Sequence, residues 1–163
     1  MFANLLQMLG GDSDNAAQFT LDDTFKAMRK LRKHEAMQVI KTWVNSWSTS
    51  YRYHEDVLLP CLLGCPDKPD DLQHYIHCPH IWDITRIAFP SLNLASPLDR
   101  LCIGTTCTVS LRVLAACFQA YHALKLNLTS TSLFSFDTHR CLFAAHFRTA
   151  ARASGLLPEA AAD

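Results

Sequence analysis

The chain has 163 residues, of which 49% are hydrophobic and 18% are charged, and this balance excludes an intrinsically disordered protein. Its 15 basic and 15 acidic residues cancel, so the net charge alone favours no class of partner. The charge is nevertheless uneven, because residues 1 to 23 carry four aspartates and no lysine or arginine, whereas residues 24 to 56 carry seven basic against three acidic side chains. A local basic surface is therefore expected.

Residues 1 to 19 are expected to form a loosely ordered lead-in, because the run Gly10-Gly11-Asp12 interrupts regular structure. The segment has apolar residues but no basic start and no small-residue cleavage pattern, so we expect no secretory signal. An intracellular protein, nuclear or cytoplasmic, is the resulting expectation. In such a reducing compartment seven cysteines, an odd number, favour metal binding and free thiols over a disulfide framework.

Residues 20 to 56 predict a basic amphipathic helix, which is continuous from residue 20 to about residue 47. Neither proline nor glycine interrupts it, and apolar residues recur at spacings of three, four and seven. Cations fall on one side of this helix, where they form either a solvated surface or a surface that follows the phosphates of a nucleic acid. Tyr51 and Tyr53 flank a further arginine and are candidates for stacking on unpaired bases. The candidate nucleic-acid-binding residues are Lys26, Arg29, Lys30, Lys33 and Arg52.

Residues 57 to 90 contain cysteines and a histidine with the spacing of a small zinc site. Three residues separate Cys61 from Cys65, eight more precede His74, and a further three precede Cys78. Thiolates and an imidazole suit tetrahedral zinc, and four protein ligands would leave no position open for water. The sequence therefore predicts a structural zinc knuckle with these four ligands.

Local sequence features support this zinc knuckle. Gly64 permits the tight turn that brings the first two sulfur atoms together. Asp70 or Asp71 can cap a short helix through residues 72 to 78. On that helix the third and fourth ligands are four positions apart and therefore face the same side. The alternative histidine ligands are His77 and His80.

The C-terminal residues 91 to 155 are expected to form helices near 98 to 104, 108 to 126 and 137 to 154, followed by a tail of residues 156 to 163. Charged and polar side chains interrupt the longest apolar stretch, so we expect a buried helix and no contact with a membrane. The sequence has no convincing strand pattern. The predicted fold class is mainly α, with a helical domain around a small Cys3His zinc knuckle.

No catalytic site is predicted. The sequence has neither a glycine-rich phosphate loop nor a recognisable nucleophile motif, so we expect a non-enzyme without a small-molecule substrate. The aspartate pairs at 22–23 and 70–71 lack the preceding aromatic residue of a polymerase active site. A minor alternative is a metal-dependent endonuclease remnant, suggested by the Lys-Pro-Asp-Asp sequence at 68–71 and by Asp83, although no lysine follows Asp83 at the required spacing.

The Cys-x3-Cys pair, the acidic loop and the following Leu-Gln-His-Tyr-Ile-His-Cys-Pro at 72–79 resemble the zinc knuckle in the C-terminal part of non-LTR retrotransposon (LINE-like) reverse transcriptases. The preceding Trp-x-Asn-x-Trp-x-Thr-Ser-x-Arg at 43–52 is similar to the segment that leads into that knuckle. The resemblance covers residues 35 to 90 and implies a Cys/Cys/His/Cys ligand set. The family often has four residues between the histidine and the last cysteine where this chain has three, so the choice between His74 and His77 stays open.

These features together predict a zinc-binding module that binds RNA or DNA, like the C-terminal part of a retrotransposon reverse transcriptase, without polymerase activity of its own. The leading alternative is a zinc-stabilised helical module that binds another protein through its later apolar helices. Salt-dependent binding to a nucleic acid distinguishes the two functions.

Overall fold

The computed structural model describes residues 21–128 and 135–158 of the chain. The predicted lead-in of residues 1 to 19 and most of the predicted tail lie outside this part. Between the described residues, the only β pairing is an isolated bridge between Pro60 and Pro69. The predicted fold, mainly α around a Cys3His group, is confirmed. In chain order the described helices are α1 Leu21–Met28, α2 Lys33–Trp43, α3 Leu72–His77, α4 Pro79–Ala88, α5 Pro97–Arg100, α6 Thr108–Leu128 and α7 Phe136–Ala153.

Helix α6 is the centre of the fold. It is buried along most of its length and packs against both α7 and α2. Alanines at positions 115, 116 and 120 are fully buried, and their small side chains allow neighbouring helices to approach closely. Buried apolar side chains from α1 to α7, apart from α5, join one core with this helix. Among the described helices, none has both the length and the apolar composition of a membrane span.

The single helix predicted for residues 20 to 47 is instead two helices, α1 and α2, with a turn at residues 29 to 32. Glu35 marks the break, because its Oε2 accepts a hydrogen bond from the backbone N–H of Arg32 at 2.9 Å and caps α2. Glu35 is fully buried and lies 3.7 Å from the Nε of Arg112 on α6. A local cap therefore begins a new helix within an uninterrupted helical pattern, and the capping side chain is buried beside a distant helix.

The helices that follow the Cys/His segment differ in how well the sequence predicts them. Helices α6 and α7 lie close to the predicted bounds, whereas α5 is shorter than the helix predicted near 98 to 104. Cys102 adopts a left-handed φ of 58°, which is incompatible with continuing that helix. Helix α4 is absent from the sequence prediction, in which Pro79 only ends α3. Pro79 also takes the first position of α4, where its missing N–H costs nothing.

A buried carboxylate, Asp70, connects the Cys/His segment to α6. Its Oδ1 accepts hydrogen bonds from the hydroxyl groups of Tyr75 at 2.7 Å and Tyr121 at 2.8 Å. Its Oδ2 accepts from the Nζ of Lys125 at 3.0 Å and from the backbone N–H of Ser50 at 2.8 Å. Asp70 is fully buried. Because a buried charge is costly unless it is paired and hydrogen-bonded, these donors hold their segments together.

The roles of the two adjacent aspartates are distinct. Asp71 is the N-cap of α3, and its Oδ1 accepts from the backbone N–H of His74 at 2.6 Å. Asp70 belongs to the buried network instead. Burial, followed by the negative charge of Asp70, raises the pKa of both Tyr75 and Tyr121, so their hydroxyl groups stay protonated and donate to it. The sequence prediction of either aspartate as the cap is thus resolved in favour of Asp71.

Asp70→Asn should lower the free energy of unfolding by about 3 kcal/mol, because it leaves the buried ammonium of Lys125 without its closest carboxylate. Urea denaturation followed by circular dichroism measures this change. Asp67→Asn is the matched control, since Asp67 is exposed in the same loop and has a φ of 53° that asparagine tolerates. A loss below about 1 kcal/mol for Asp70→Asn would contradict the role of this network.

Candidate metal centre

The Cys/His segment brings four side chains together from three pieces of local structure. Cys61 and Cys65 lie at the ends of a tight loop, which a hydrogen bond from the N–H of Gly64 to the carbonyl oxygen of Cys61 closes at 3.0 Å. Gly64 has a φ of +83°, in the left-handed region that favours glycine. His74 lies on α3, and Cys78 is the residue between α3 and α4. These local elements produce the predicted grouping.

The geometry of the four side chains fits a single metal ion. The sulfur atoms of Cys61, Cys65 and Cys78 and a ring nitrogen of His74 all lie within 4.8 Å of one another. The Sγ atoms of Cys65 and Cys78 are 3.6 Å apart, and all three cysteines are buried and free of disulfides. The Nε2 of His74 is buried without a hydrogen-bond partner. A buried, unpartnered ring nitrogen is costly, and an ion among these four atoms would supply its partner.

The close approach of the three sulfur atoms governs their protonation. Hydrogen bonding with Cys78 lowers the pKa of the Cys61 thiol well below its usual range, against the opposing effect of burial. The hydrogen bond with Cys61 raises the pKa of Cys78, and burial raises the pKa of Cys65. One thiolate is therefore favoured, and a cation among the sulfur atoms would favour the loss of further protons.

Helix α7 fixes the backbone of the ligand loop. The Nδ1 of His139 donates to the carbonyl oxygen of Leu62 at 2.8 Å, and this contact assigns the Nδ1–H tautomer because a carbonyl oxygen can only accept. The Nη1 of Arg140 donates to the carbonyl oxygen of Leu63 at 3.1 Å and lies 3.3 Å from the Nε2 of His80. Two side chains more than 70 residues along the chain thus hold the loop that carries the first two cysteines.

The two alternative histidines lie outside the group of four ligand atoms. His77, the last residue of α3, is exposed. His80 lies on α4 and contacts Arg140. The structure therefore brings His74, and neither His77 nor His80, together with the three cysteines.

The cations predicted to contact a nucleic acid are exposed, but the break between α1 and α2 divides them. Lys26 lies on α1 and forms an ion pair with Asp23 at 2.9 Å. Arg29 and Lys30 lie in the turn after α1, and Lys33 begins α2. These residues surround one turn instead of forming a stripe along one helix.

Arg52, the fifth predicted cation, lies on the loop that follows α2. Its guanidinium carbon is 5.1 Å from the centre of the Tyr53 ring, and both residues are exposed. Its charge and that of Lys41 act on His122 of α6. The sequence prediction includes neither Lys41 nor His122 among the site residues, because only the packing of α2 against α6 brings them together.

The acidic residues of the endonuclease alternative have other contacts. Both carboxylate oxygens of Asp70 accept hydrogen bonds in the buried network. Asp83 is exposed on α4 and forms an ion pair with Arg86 at 2.6 Å. The sequence pattern contains no sign of the network around Asp70, because its partners Tyr121 and Lys125 lie more than 50 residues away.

Gly64→Ala should weaken both folding and metal binding. An added Cβ would lie 2.6 Å from the Cγ of Phe136 and would be strained at the positive φ. Gly155→Ala is the matched control, because Gly155 has a φ of +70° but no atom within 4 Å of an added Cβ. We expect Gly155→Ala to lower the free energy of unfolding by about 1 kcal/mol, because only its positive φ is unfavourable for alanine. Gly64→Ala should lower the free energy of unfolding by more and should also lower the affinity for the metal. Urea denaturation measures stability, and competition with a chromophoric chelator measures metal affinity. Equal losses of stability in the two variants, with unchanged metal affinity, would contradict this role of Gly64.

Comparisons of the chain with protein-family models, with curated proteins and with solved structures give no match. The resemblance of residues 35 to 90 to retrotransposon reverse transcriptases therefore stays a prediction. The arguments for a function rest on the geometry of the Cys3His group and on the surfaces around it.

Proposed function

We propose that this chain is a nucleic-acid-binding module built around one structural zinc ion, without polymerase activity of its own. The observation that carries the proposal is the compact group formed by Cys61, Cys65, His74 and Cys78. The resemblance of the surrounding sequence to the zinc knuckle of retrotransposon reverse transcriptases supports a nucleic acid as the partner. The free cysteines support a reducing, intracellular compartment.

Zinc is the metal that this donor set suits best. Three thiolates and one imidazole form a soft, tetrahedral set of ligands, which selects zinc over calcium or magnesium. Zn–S bonds of about 2.3 Å in a tetrahedron place two sulfur atoms about 3.8 Å apart. The distance of 3.6 Å between the sulfur atoms of Cys65 and Cys78 is compatible with this geometry.

The zinc ion would have a structural role in this proposal. Four protein ligands complete a tetrahedral shell, so no position remains for water or a substrate. The ion would fix the loop from Cys61 to Cys65 against α3 and α4, and that loop in turn carries the carbonyl groups that α7 binds. Metal binding would therefore be coupled to the folding of the helical core.

Exposed cations support the nucleic-acid partner. Arg29, Lys30 and Lys33 lie around the turn between α1 and α2, and among the described residues none of the three forms an ion pair. Unpaired cations on a surface attract phosphates and release counterions when they bind. The turn is therefore a candidate contact for the backbone of RNA or DNA.

A second candidate function is binding to a protein, favoured by one feature of α2. Met37, Ile40 and Val44 are exposed at 50%, 36% and 38%, and their spacing puts them on one face of the helix. Exposed apolar side chains in a helical stripe can bind a partner surface. In that case Ile40→Lys would abolish binding, and the interaction would depend little on salt.

Purified protein should contain about one equivalent of zinc, and a strong chelator should unfold the helical core because the ion joins the ligand loop to it. Elemental analysis and circular dichroism measure the two effects. Cys78→Ser should lose the zinc, whereas Cys141→Ser should keep it because Cys141 is exposed and outside the group. Metal-free protein with unchanged thermal stability would contradict the structural zinc.

Affinity for RNA or DNA should fall steeply with salt, and the charge reversals Arg29→Glu, Lys30→Glu and Lys33→Glu in one variant should reduce it at least tenfold. Fluorescence anisotropy with a labelled oligonucleotide measures this affinity. The matched control reverses three exposed arginines elsewhere on the surface. Equal losses of affinity in the two variants would indicate a non-specific effect of charge. The control residues are Arg86, Arg148 and Arg152.

A further inference from the structure

A second cationic surface lies where α2, α6 and the loop after α2 meet. The Nζ of Lys41 on α2 is 5.9 Å from the centre of the Phe118 ring on α6. The Phe118 ring lies 4.1 Å from the ring of His122, one helical turn further along α6. Arg52 lies four residues after Ser48, whose Oγ is 2.8 Å from the Nδ1 of His122. After the effect of burial, the charges of Lys41 and Arg52 both lower the pKa of His122, to about 4. We call the two cations beside this neutral histidine, Lys41 and Arg52, the α2–α6 cationic face.

The positive charge of this face is not neutralised within the described part of the protein. Neither Lys41 nor Arg52 forms an ion pair there. Glu55, an acidic residue of the same loop, lies 3.4 Å from the Nζ of Lys125. By contrast, Lys26 forms an ion pair with its own helix neighbour. The α2–α6 cationic face can therefore attract an external anion.

The loop that carries Arg52 is held in place by the buried network. The Oγ of Ser48 lies 2.8 Å from the Nδ1 of His122, and the carbonyl oxygen of Ser48 lies 3.3 Å from the hydroxyl oxygen of Tyr121. The backbone N–H of Ser50 donates to Asp70. These contacts fix the start of the loop against α6, so the cations are presented with little loss of conformational entropy on binding.

Aromatic rings flank the same cations. Tyr51 and Tyr53 are 59% and 58% exposed, so both rings are accessible to a partner. Arg52 lies between them in the sequence and packs on the Tyr53 ring. Exposed aromatic rings beside cations can stack on bases, and a base offers its flat face only when it is unpaired.

We propose that the α2–α6 cationic face binds single-stranded nucleic acid, with phosphates on its cations and unpaired bases on the rings of Tyr51 and Tyr53. This inference rests on the proposed function and specifies which form of nucleic acid binds and where. His122 is neutral and its Nε2 is buried, so it adds no charge to the face, but a phosphate bound at Lys41 and Arg52 would raise its pKa.

Fluorescence anisotropy of the zinc-loaded full chain tests the inference, with a labelled single-stranded RNA, a single-stranded DNA and a duplex of the same sequence as probes. The first variant combines Lys41→Gln and Arg52→Gln, and the second combines Tyr51→Ser and Tyr53→Ser. A control variant, Arg86→Gln with Arg148→Gln, removes two exposed charges elsewhere. Zinc content and thermal unfolding establish that every variant is folded.

We expect the first variant to bind single strands at least tenfold more weakly and to lower the slope of log affinity against log salt by about two, since two phosphate contacts are lost. The second variant should bind single strands about fivefold or more weakly, because stacking on the tyrosine rings is lost, and its affinity for the duplex should change little. The control variant should change neither affinity. In the wild-type protein, NMR titration should show the pKa of His122 rising when the oligonucleotide binds.

The outcomes separate this inference from the proposed function. Binding that is lost on reversal of Arg29, Lys30 and Lys33 but unchanged in the Lys41 and Arg52 variant would overturn the inference and leave the proposed function intact. Tighter binding to the duplex than to either single strand would also overturn it. No salt-dependent binding of the wild-type protein to any probe would overturn both.

Discussion

The buried carboxylate of Asp70 is the constraint on which the rest of this structure depends. An ionised group with no exposed surface is costly, and the cost is offset only while several donors surround it. Here the donors come from the loop after α2, from α3 and from α6. Because the loss of any one donor would leave a buried charge less well compensated, these three parts must assemble together.

The candidate metal centre and the helical core depend on each other through the ligand loop. The loop from Cys61 to Cys65 places two candidate ligands beside His74 and Cys78, and the carbonyl groups of Leu62 and Leu63 in this loop accept hydrogen bonds from His139 and Arg140 of α7. Asp70 follows the same loop and binds α6. The knuckle is thus part of the core, and in the proposed function its zinc ion acts by positioning surfaces that it does not itself touch.

The two cationic regions differ in how they are positioned. At the turn between α1 and α2, Glu35 caps α2 and is buried beside Arg112. The α2–α6 cationic face exists because the loop with Arg52 is held by the Asp70 network beside α6. In both regions a buried acidic residue fixes a stretch of backbone, and exposed cations nearby have no acidic partner among the described residues. Such unpaired cations suit a surface that attracts phosphates.

The sequence by itself determined the mainly α fold, the approximate bounds of α6 and α7 and the three cysteines of the candidate metal centre, with His74 preferred over His77, because spacing, a glycine turn and a helix cap are local properties. Only the tertiary structure decided the burial of Glu35 beside Arg112, the role of Asp70 and the approach of Lys41 and Arg52 to His122. Those features depend on burial and on partners up to about 80 residues away, and a local pattern carries no information about which distant side chain will neutralise a buried charge.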